Sequence, residues 1–209
     1  TYNGTINAST ADSDTLNLTS TGLITFNGNI GSVIPLLKSL TTTTGSAVQI
    51  DCESIKTSGN QTYSDSITIT TAGSGVSINS SDGNLLFADT VTGTKLTVSG
   101  NNIQFSGIVG TTTTPLEQLS IDTATTTTFD KPVYISTFTD SDTGNSGAIS
   151  FSKGGIISND VSLNTTGNVS IDGSTTEMSF NRDFSHTTGT TSITGTVTST
   201  GTVSLGAAD

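Results

Sequence analysis

The sequence is dominated by a short word in which two apolar residues flank one polar residue, often just after a glycine. The words Val169–Ile171 and Val203–Leu205, for example, follow Gly167 and Gly201. Residues i and i+2 of a β-strand point to the same side, so each word sends two side chains inward and one outward. Glycine between the words allows the backbone conformations that turn the chain. The pattern therefore predicts many short strands, each buried on one face.

Words of three residues are too short for the strands of a β-sandwich, which alternate over about five or more residues. We therefore predict that residues 1–209 form a single all-β segment, a right-handed parallel β-helix (β-solenoid) of short strands. Tandem β-sandwich modules are the alternative. With about 20–25 residues per turn and turns about 4.8 Å apart, the rod would have roughly nine turns and a length of about 45 Å. A helix is considered only for Ile34–Leu40, since no long stretch of the chain has apolar residues at helical spacing.

Twelve apolar residues in these words are predicted to form the core: Ile24, Phe26, Ile67, Ile69, Ile103, Phe105, Leu119, Ile121, Ile149, Phe151, Val169 and Ile171. The chain as a whole is polar, with 31% hydrophobic and 11% charged residues, a balance that can indicate disorder. Two observations argue against disorder: there are only 3 prolines, and the apolar residues are patterned. Stacked turns explain how so polar a chain folds, since each turn buries only a few side chains against its neighbours.

A longer repeat is superimposed on the short words. Phe26–Leu40 matches Phe105–Leu119, with a phenylalanine, two glycines, a Pro-Leu pair and a final leucine in the same order. The offset predicts internal repeats of roughly 80 residues that start near residues 22 and 101, a few solenoid turns apart.

These repeats resemble those of large bacterial exoproteins over about residues 19–151. The pattern Phe-x-Gly-x-hydrophobic-Gly, then Pro-Leu-x-x-Leu, then a segment such as Thr57–Ile69, looks like filamentous-haemagglutinin-like and autotransporter-adhesin-like proteins. The Gln-Thr-Tyr part of that segment occurs once, and the place expected for a second copy, near Ser136–Gly144, has diverged. The resemblance implies a right-handed parallel β-helix, export, and a role as adhesin, matrix component or surface fibre. It carries no catalytic residues to transfer.

The charge balance excludes some partners. The net charge is -11, and the six basic residues are spread singly along the chain, whereas binding to nucleic acid or to an anionic membrane needs clustered Lys and Arg. No apolar run approaches the length of a membrane-spanning helix. Thr1 does not begin a signal peptide, so we expect a mature product or an excised piece.

Two residues that could carry chemistry are each alone of their kind. His186, the single histidine, lies in a polar stretch, and we predict a surface or turn position because it lacks the partners of a metal site or catalytic triad. Cys52, the single cysteine, cannot form an internal disulfide. It lies two residues after Ile50 and so should point to the same side of the strand. It is therefore predicted to pack in the core as a small hydrophobe.

The acidic and hydroxyl residues favour solvated loops over sites. Two Asp-Ser-Asp-Thr words, at Asp12–Thr15 and Asp140–Thr143, could bind calcium weakly, but neither continues into a calcium-binding loop. Glycoside hydrolysis would need two carboxylates held roughly 5–10 Å apart. Runs of threonine could form an ice-binding array, although they are not repeated in every turn. The carboxylates available for hydrolysis are Asp51, Glu53, Asp122, Asp130 and Asp183, and the threonine runs are Thr41–Thr44, Thr111–Thr114 and Thr125–Thr128.

We therefore predict a structural or adhesive segment of a secreted or cell-surface bacterial protein, which is not an enzyme and stacks end to end into fibres. Its expected partners are further copies of itself, by head-to-tail stacking, or cell-surface and matrix glycans, with no nucleic acid and no membrane insertion. A carbohydrate-active or carbohydrate-binding β-helix is the alternative. No catalytic, cofactor-binding or metal-ligating residue is nominated. The C-terminal words at 197–205 end without a cap, which favours either truncation or head-to-tail assembly.

Overall fold

The computed structural model describes residues 1–11, 13–45, 47–141 and 147–206. Within these ranges every regular element is a strand, and the chain coils into a β-solenoid of about eight turns in which paired strands of successive turns are parallel. This confirms the predicted fold over the β-sandwich alternative. A residue and its partner in the next turn lie 18 to 25 positions apart. At a strand spacing of about 4.8 Å, eight turns span about 40 Å, slightly less than predicted.

Each turn runs along three faces, and the words of the sequence are the strands of these faces. Face 1 contains β1 (Thr15–Leu18), β3 (Ser39–Thr42), β6 (Gln61–Tyr63), β9 (Leu85–Phe87), β12 (Asn102–Phe105), β14 (Thr126–Phe129), β16 (Ala148–Phe151) and the first parts of β19 (Val169–Phe180) and β21 (Thr191–Ser199). Face 2 contains β2 (Ile24–Phe26), β4 (Val48–Ile50), β7 (Ile67–Ile69), β10 (Val91–Gly93), the first part of β15 (Val133–Asp140), β17 (Gly155–Ile157) and the second parts of β19 and β21. Face 3 contains β5 (Ser54–Thr57), β8 (Val76–Ser80), β11 (Lys95–Ser99), β13 (Leu116–Thr123), the second part of β15, β18 (Val161–Leu163), β20 (Phe184–His186) and β22 (Val203–Leu205).

The short apolar stretch considered for helix is not helical. Residues 34–36 have no regular structure, Leu37 forms an isolated bridge with Thr57, and Ser39 begins β3. Ile34 is 82% exposed. The stretch is a loop that leaves the coil at Ile34 and returns to it at Leu37 and Leu40, which are both buried.

The core lies along the axis of the coil, and all twelve predicted core residues are buried. The inward column of face 1 contains an aromatic stack, one ring per turn, made of Tyr63, Phe87, Phe105, Phe129 and Phe151. Successive ring centroids are 4.6 to 5.4 Å apart with interplanar angles of 3° to 9°. The strand spacing sets this separation, so each ring gains stacking as well as burial.

Polar residues occupy some inward positions, where they bond to one another. The Tyr63 hydroxyl donates to Gln61 Oε1 at 2.7 Å, and Gln61 Nε2 donates to Thr57 Oγ1 at 3.1 Å and to the Asn79 carbonyl at 2.8 Å. Both Gln61 and Tyr63 are fully buried. The interior at this corner therefore has a hydrogen-bond network in place of apolar contacts.

The two copies of the longer repeat form similar corners, but on different faces. Phe26 pairs with Ile50 on face 2, whereas Phe105 pairs with Phe87 and Phe129 on face 1. In both copies a buried bridge residue precedes a glycine with positive φ, Gly31 at 66° and Gly110 at 69°, and a loop then leaves the coil. The repeat therefore encodes a corner and an outward loop, and its offset is not a whole number of turns.

Candidate functional site

Cys52 lies in the core, as predicted. Its side chain is 3% exposed, and Sγ lies 3.9 Å from the carbonyl oxygen of Ser54. Burial raises the pKa of the thiol, and the neighbouring Asp51 and Glu53 carboxylates raise it further. A thiol held in its protonated form is a poor nucleophile and a poor metal ligand. Cys52 is therefore a packing residue.

His186 is buried, so the predicted surface position is wrong. It ends strand β20 and occupies an inward position, paired with Leu163 of the preceding turn and Leu205 of the next. In Phe184–His186 the first and third residues point inward, as they do in the apolar words. The sequence did not reveal this pattern, because the third residue is a histidine and not an apolar residue. Its side chain has 0% exposure.

Both ring nitrogens of His186 have partners. Nε2 lies 3.1 Å from the carbonyl oxygen of Thr165, and Nδ1 lies 2.8 Å from the hydroxyl of Thr191. A carbonyl oxygen only accepts, so Nε2 donates to it, and in the neutral ring Nδ1 accepts from the Thr191 hydroxyl. The buried carboxylate of Asp140 accepts the backbone N–H groups of Asn164 at 2.9 Å and Thr165 at 2.8 Å. These contacts tie successive turns together, and His186 and Asp140 are both buried, so neither is open to a substrate.

The candidate carboxylates are either exposed to solvent or bonded to a neighbouring turn. Asp51, Glu53 and Asp122 are exposed. Asp130 accepts hydrogen bonds from Gln104 and Ser106 of the preceding turn, at 2.7 and 3.0 Å, and Asp183 accepts the backbone N–H of Thr202 at 2.6 Å. Asp130 and Asp183 therefore hold neighbouring turns together.

The Asp-Ser-Asp-Thr words are only partly described, because Asp12 and residues 142–143 lie outside the described residues. Asp14 accepts the backbone N–H groups of Thr10 and Ser9, at 3.0 and 2.6 Å, and these bonds lower its pKa. In the described part of the chain no three His, Cys, Asp or Glu side chains come together as metal ligands.

The threonine runs occupy different environments. Thr42 is buried, Thr111–Thr114 form a loop, and residues 126–128 lie in β14. Two of the runs reach face 1, where Thr42 and Thr127 point inward, and the third is a loop, so the three runs do not form one exposed array.

The three tyrosines have different roles. Tyr63 belongs to the aromatic stack, and Tyr2 stacks on Phe26 at the N-terminal end with the ring centroids 5.8 Å apart. Tyr134 is the middle residue of the word Val133–Ile135, so it points outward from face 2, where it is half-buried. Tyr134 is thus the tyrosine that a ligand could contact on the side of the rod.

Tyr134 lies at the centre of a shallow groove on face 2, which we call the tyrosine groove. Its floor follows one outward column, from Tyr134 to Ile156 in the next turn and then to Ser179. Two adjoining depressions share Thr112, Tyr134 and Ile156. The residues lining the two depressions are Thr111, Thr112, Pro115, Tyr134, Ile135, Gly155, Ile156, Ser158, Thr176, Glu177, Ser179 and Asn181.

The first wall of the tyrosine groove is the loop after Gly110, which its own hydrogen bonds hold in shape. Thr111 N donates to the Thr114 carbonyl at 3.0 Å, and Thr114 N donates to the Thr111 hydroxyl at 2.9 Å. The second wall is an irregularity in β19, where the pairing with β21 shifts register between Gly173 and Met178. Both walls are extra residues relative to the regular coil, and sequence analysis did not place them beside Tyr134.

The two ends of the described coil are also candidate surfaces. At the C-terminal end Ile193, Val203 and Leu205 are 41% to 49% exposed, although each takes an inward position. Strands β21 and β22 pair on one side only, as β1 does at the other end. The C-terminal end thus presents unpaired backbone groups and exposed apolar side chains, and the N-terminal end presents the open edge of β1 and the exposed Tyr2. An open strand edge of this kind favours addition of another strand.

No protein-family model, curated protein or solved structure matches the chain. The class that the structure itself defines is the β-solenoid, and the resemblance to bacterial exoproteins stays a prediction from the motif. Within the described ranges the chain forms no helix with the length and apolarity needed to cross a bilayer.

Proposed function

We propose that this chain is a structural or adhesive segment of a secreted or cell-surface bacterial protein, and that it stacks end to end with copies of itself. The single observation that carries the stacking is the match between its two ends. Extending the observed columns by one turn brings Ile193 of one copy onto Leu18 of the next, because both continue the column of the aromatic stack. Thr191 likewise meets Leu16.

Face 2 continues in the same way, since Ser199 of one copy would lie over Tyr2 of the next. Such stacking would pair the open edges of β1 and β21 and cover the exposed apolar residues of the C-terminal end. The polar outer faces would stay in water. A long rod of this kind suits a surface fibre, in which length and a repeated outer surface matter more than a single site.

Negative-stain electron microscopy and sedimentation velocity over a concentration series test the stacking. We expect the purified chain to form filaments one rod wide that lengthen as concentration rises. In Ile193→Lys a charge in the inward position should abolish filaments without unfolding the central turns. Ser192→Lys is the matched control, because Ser192 is exposed on the same strand and points outward.

Single rods of the wild-type chain at every concentration would overturn the stacking. Filaments that persist in Ile193→Lys would overturn the proposed interface, since its central column could not then close.

A carbohydrate-binding function is the second candidate, and the tyrosine groove favours it. The groove joins a half-buried aromatic ring and an aliphatic side chain to hydroxyl, amide and carboxylate groups. Among the residues that line it, Glu177 is the one carboxylate, whereas glycoside hydrolysis needs two. The groove therefore favours binding over hydrolysis, and the absence of enzyme activity stays a prediction.

A further inference from the structure

We propose that the tyrosine groove binds a neutral oligosaccharide of hexopyranose units laid along the rod axis. This inference rests on the adhesive part of the proposed function and not on end-to-end stacking. It places on face 2 the surface through which the chain would adhere to a glycan.

The floor of the groove differs from the rest of the outer surface. Outward positions on face 2 are mostly polar, such as Gln49, Thr68 and Thr92, but Tyr134 and Ile156 follow one another in adjacent turns. Ile156 is 37% exposed, and Tyr134 is half-buried. A pyranose ring has a flat apolar C–H face and a rim of hydroxyls. An aromatic ring beside an aliphatic chain, about one strand spacing apart, offers such a face its apolar contact.

The rim of the groove has polar groups that the protein leaves available. In the described part of the chain the hydroxyls of Thr112, Tyr134 and Ser158 form no hydrogen bond within the protein. Asn181 uses its Oδ1 to accept from Ser179 at 3.1 Å, and Glu177 accepts from Thr198 at 2.6 Å through Oε1. The Asn181 amide nitrogen and the second Glu177 oxygen therefore stay open to sugar hydroxyls.

A second depression, on face 1 around Leu86, shows the contrast. Its asparagines bond along the stack: Asn60 Oδ1 accepts the N–H of Asn84 at 2.9 Å, and Asn84 Oδ1 accepts from the Asn102 side chain at 2.9 Å. Asn102 Oδ1 in turn accepts the Thr126 hydroxyl at 2.8 Å. These amides hold turns together, so this depression has fewer groups for a ligand.

Charge and backbone pairing select the class of ligand. None of the residues lining the tyrosine groove is basic, and Glu177 is acidic, so sulfated or uronic acid chains and nucleic acids would meet repulsion. The strands of the floor, β15, β17 and β19, pair on both sides, so an extended peptide finds no free edge to join. A neutral saccharide needs neither positive charge nor a free strand edge.

The test uses the full chain and four hexasaccharide probes. Cellohexaose, maltohexaose and chitohexaose are the neutral probes, and hexagalacturonate is the anionic one. Saturation-transfer NMR detects binding, and isothermal titration calorimetry at millimolar sugar measures affinity. We expect at least one neutral probe to bind and hexagalacturonate to bind more weakly.

Variants then locate the site. Tyr134→Ala should weaken binding of the neutral probe at least tenfold, which corresponds to about 1.4 kcal/mol. Tyr134→Phe keeps the ring and should stay within about threefold of the wild-type chain. Two controls keep wild-type affinity: Thr68→Ala, which alters the same face outside the groove, and Leu86→Ala, which alters the face 1 depression.

Three results would overturn the site: no neutral probe binds, hexagalacturonate binds most tightly, or Tyr134→Ala binds as well as the wild-type chain. Adhesion of protein-coated beads to cells, measured in parallel, separates the site from the adhesive function. Beads that adhere while the site fails leave the adhesive function standing. Beads that do not adhere overturn the adhesive function itself.

Discussion

Tyr63 shows how one residue contributes both packing and a buried polar contact. Its ring lies 5.4 Å from that of Phe87, and its hydroxyl donates to Gln61 Oε1 at 2.7 Å. Burial raises the pKa of this phenol well above its usual value. The folded chain thus keeps Tyr63 protonated at a pH at which an unfolded chain ionises it.

We expect Tyr63→Phe to lower the free energy of unfolding by about 1–3 kcal/mol at neutral pH, because it leaves Gln61 Oε1 buried without its donor. The difference from the wild-type chain should shrink as pH rises above about 10, the ordinary tyrosine pKa. Below that pH the contribution of the protonated phenol is fully present. Above it the unfolded state loses the Tyr63 proton and the folded state does not, so the stability of the wild-type chain falls until the folded pKa is reached.

Urea denaturation from pH 7 to 11 measures both effects. Tyr134→Phe, which removes a hydroxyl on the outer surface, is the control and should stay within about 0.5 kcal/mol of wild type. A difference between Tyr63→Phe and wild type that does not change with pH would contradict this role for burial.

Inward polar residues mark the limit of what sequence patterns reveal at the residue scale. The twelve predicted core residues are all buried. They could be predicted because an apolar–any–apolar word shows directly which side chains of a strand point inward. Gln61, Thr127 and His186 also take inward positions, yet their words are not apolar. Asn79, which bonds to Gln61, and Thr165, which bonds to His186, lie about one turn away in the sequence, so a single turn of sequence does not show these contacts.

At the scale of the element, close approach of successive turns fixes where glycine is needed. A Cβ added to Gly107 would lie 2.1 Å from the backbone carbon of Asp89, in the turn before. A Cβ added to Gly22 would meet nothing within 4 Å. Both glycines sit at corners between faces 1 and 2, so they form a matched pair.

We expect Gly107→Ala to lower the free energy of unfolding by about 2 kcal/mol or more, because the clash is with backbone and the turns must separate. Gly22→Ala should be neutral or stabilising by up to about 1 kcal/mol, since alanine reduces the freedom of the unfolded chain. Chemical denaturation compares the two variants. Equal losses would show that corner conformation, and not the distance between turns, sets the requirement for glycine.

The same contacts explain why the strands were predictable and the tyrosine groove was not. An apolar–any–apolar word predicts a strand and the side that faces inward. Which strands become neighbours, however, depends on how many residues each corner contains. Here that number brings Tyr134 beside Ile156 and the Thr111–Thr114 loop. Because the step between turns varies from 18 to 25 residues, the sequence period is too irregular to align these positions.

For the whole molecule, the net charge of -11 would act against the apolar attraction between ends in the proposed filaments. Like-charged rods repel at low ionic strength, and salt screens this repulsion over a distance of about 10 Å at 0.1 M. We therefore expect mean filament length to increase from low to moderate salt at constant protein concentration. Sedimentation velocity at several sodium chloride concentrations measures the effect. Filaments that shorten as salt is added would indicate that ion pairs, and not apolar contacts, join the ends.

The coil also places residue 2 in its first turn and residue 205 in its last, at opposite ends of the rod. Tension applied at the two ends would act along the axis, which is also the direction of the hydrogen bonds between turns. It would therefore separate the turns one after another. Each turn of about 22 residues would release roughly 75 Å of extended chain. A fibre made of such coils would respond to pulling by releasing length in small steps of similar size, and so would limit the force that reaches whatever is attached to its ends.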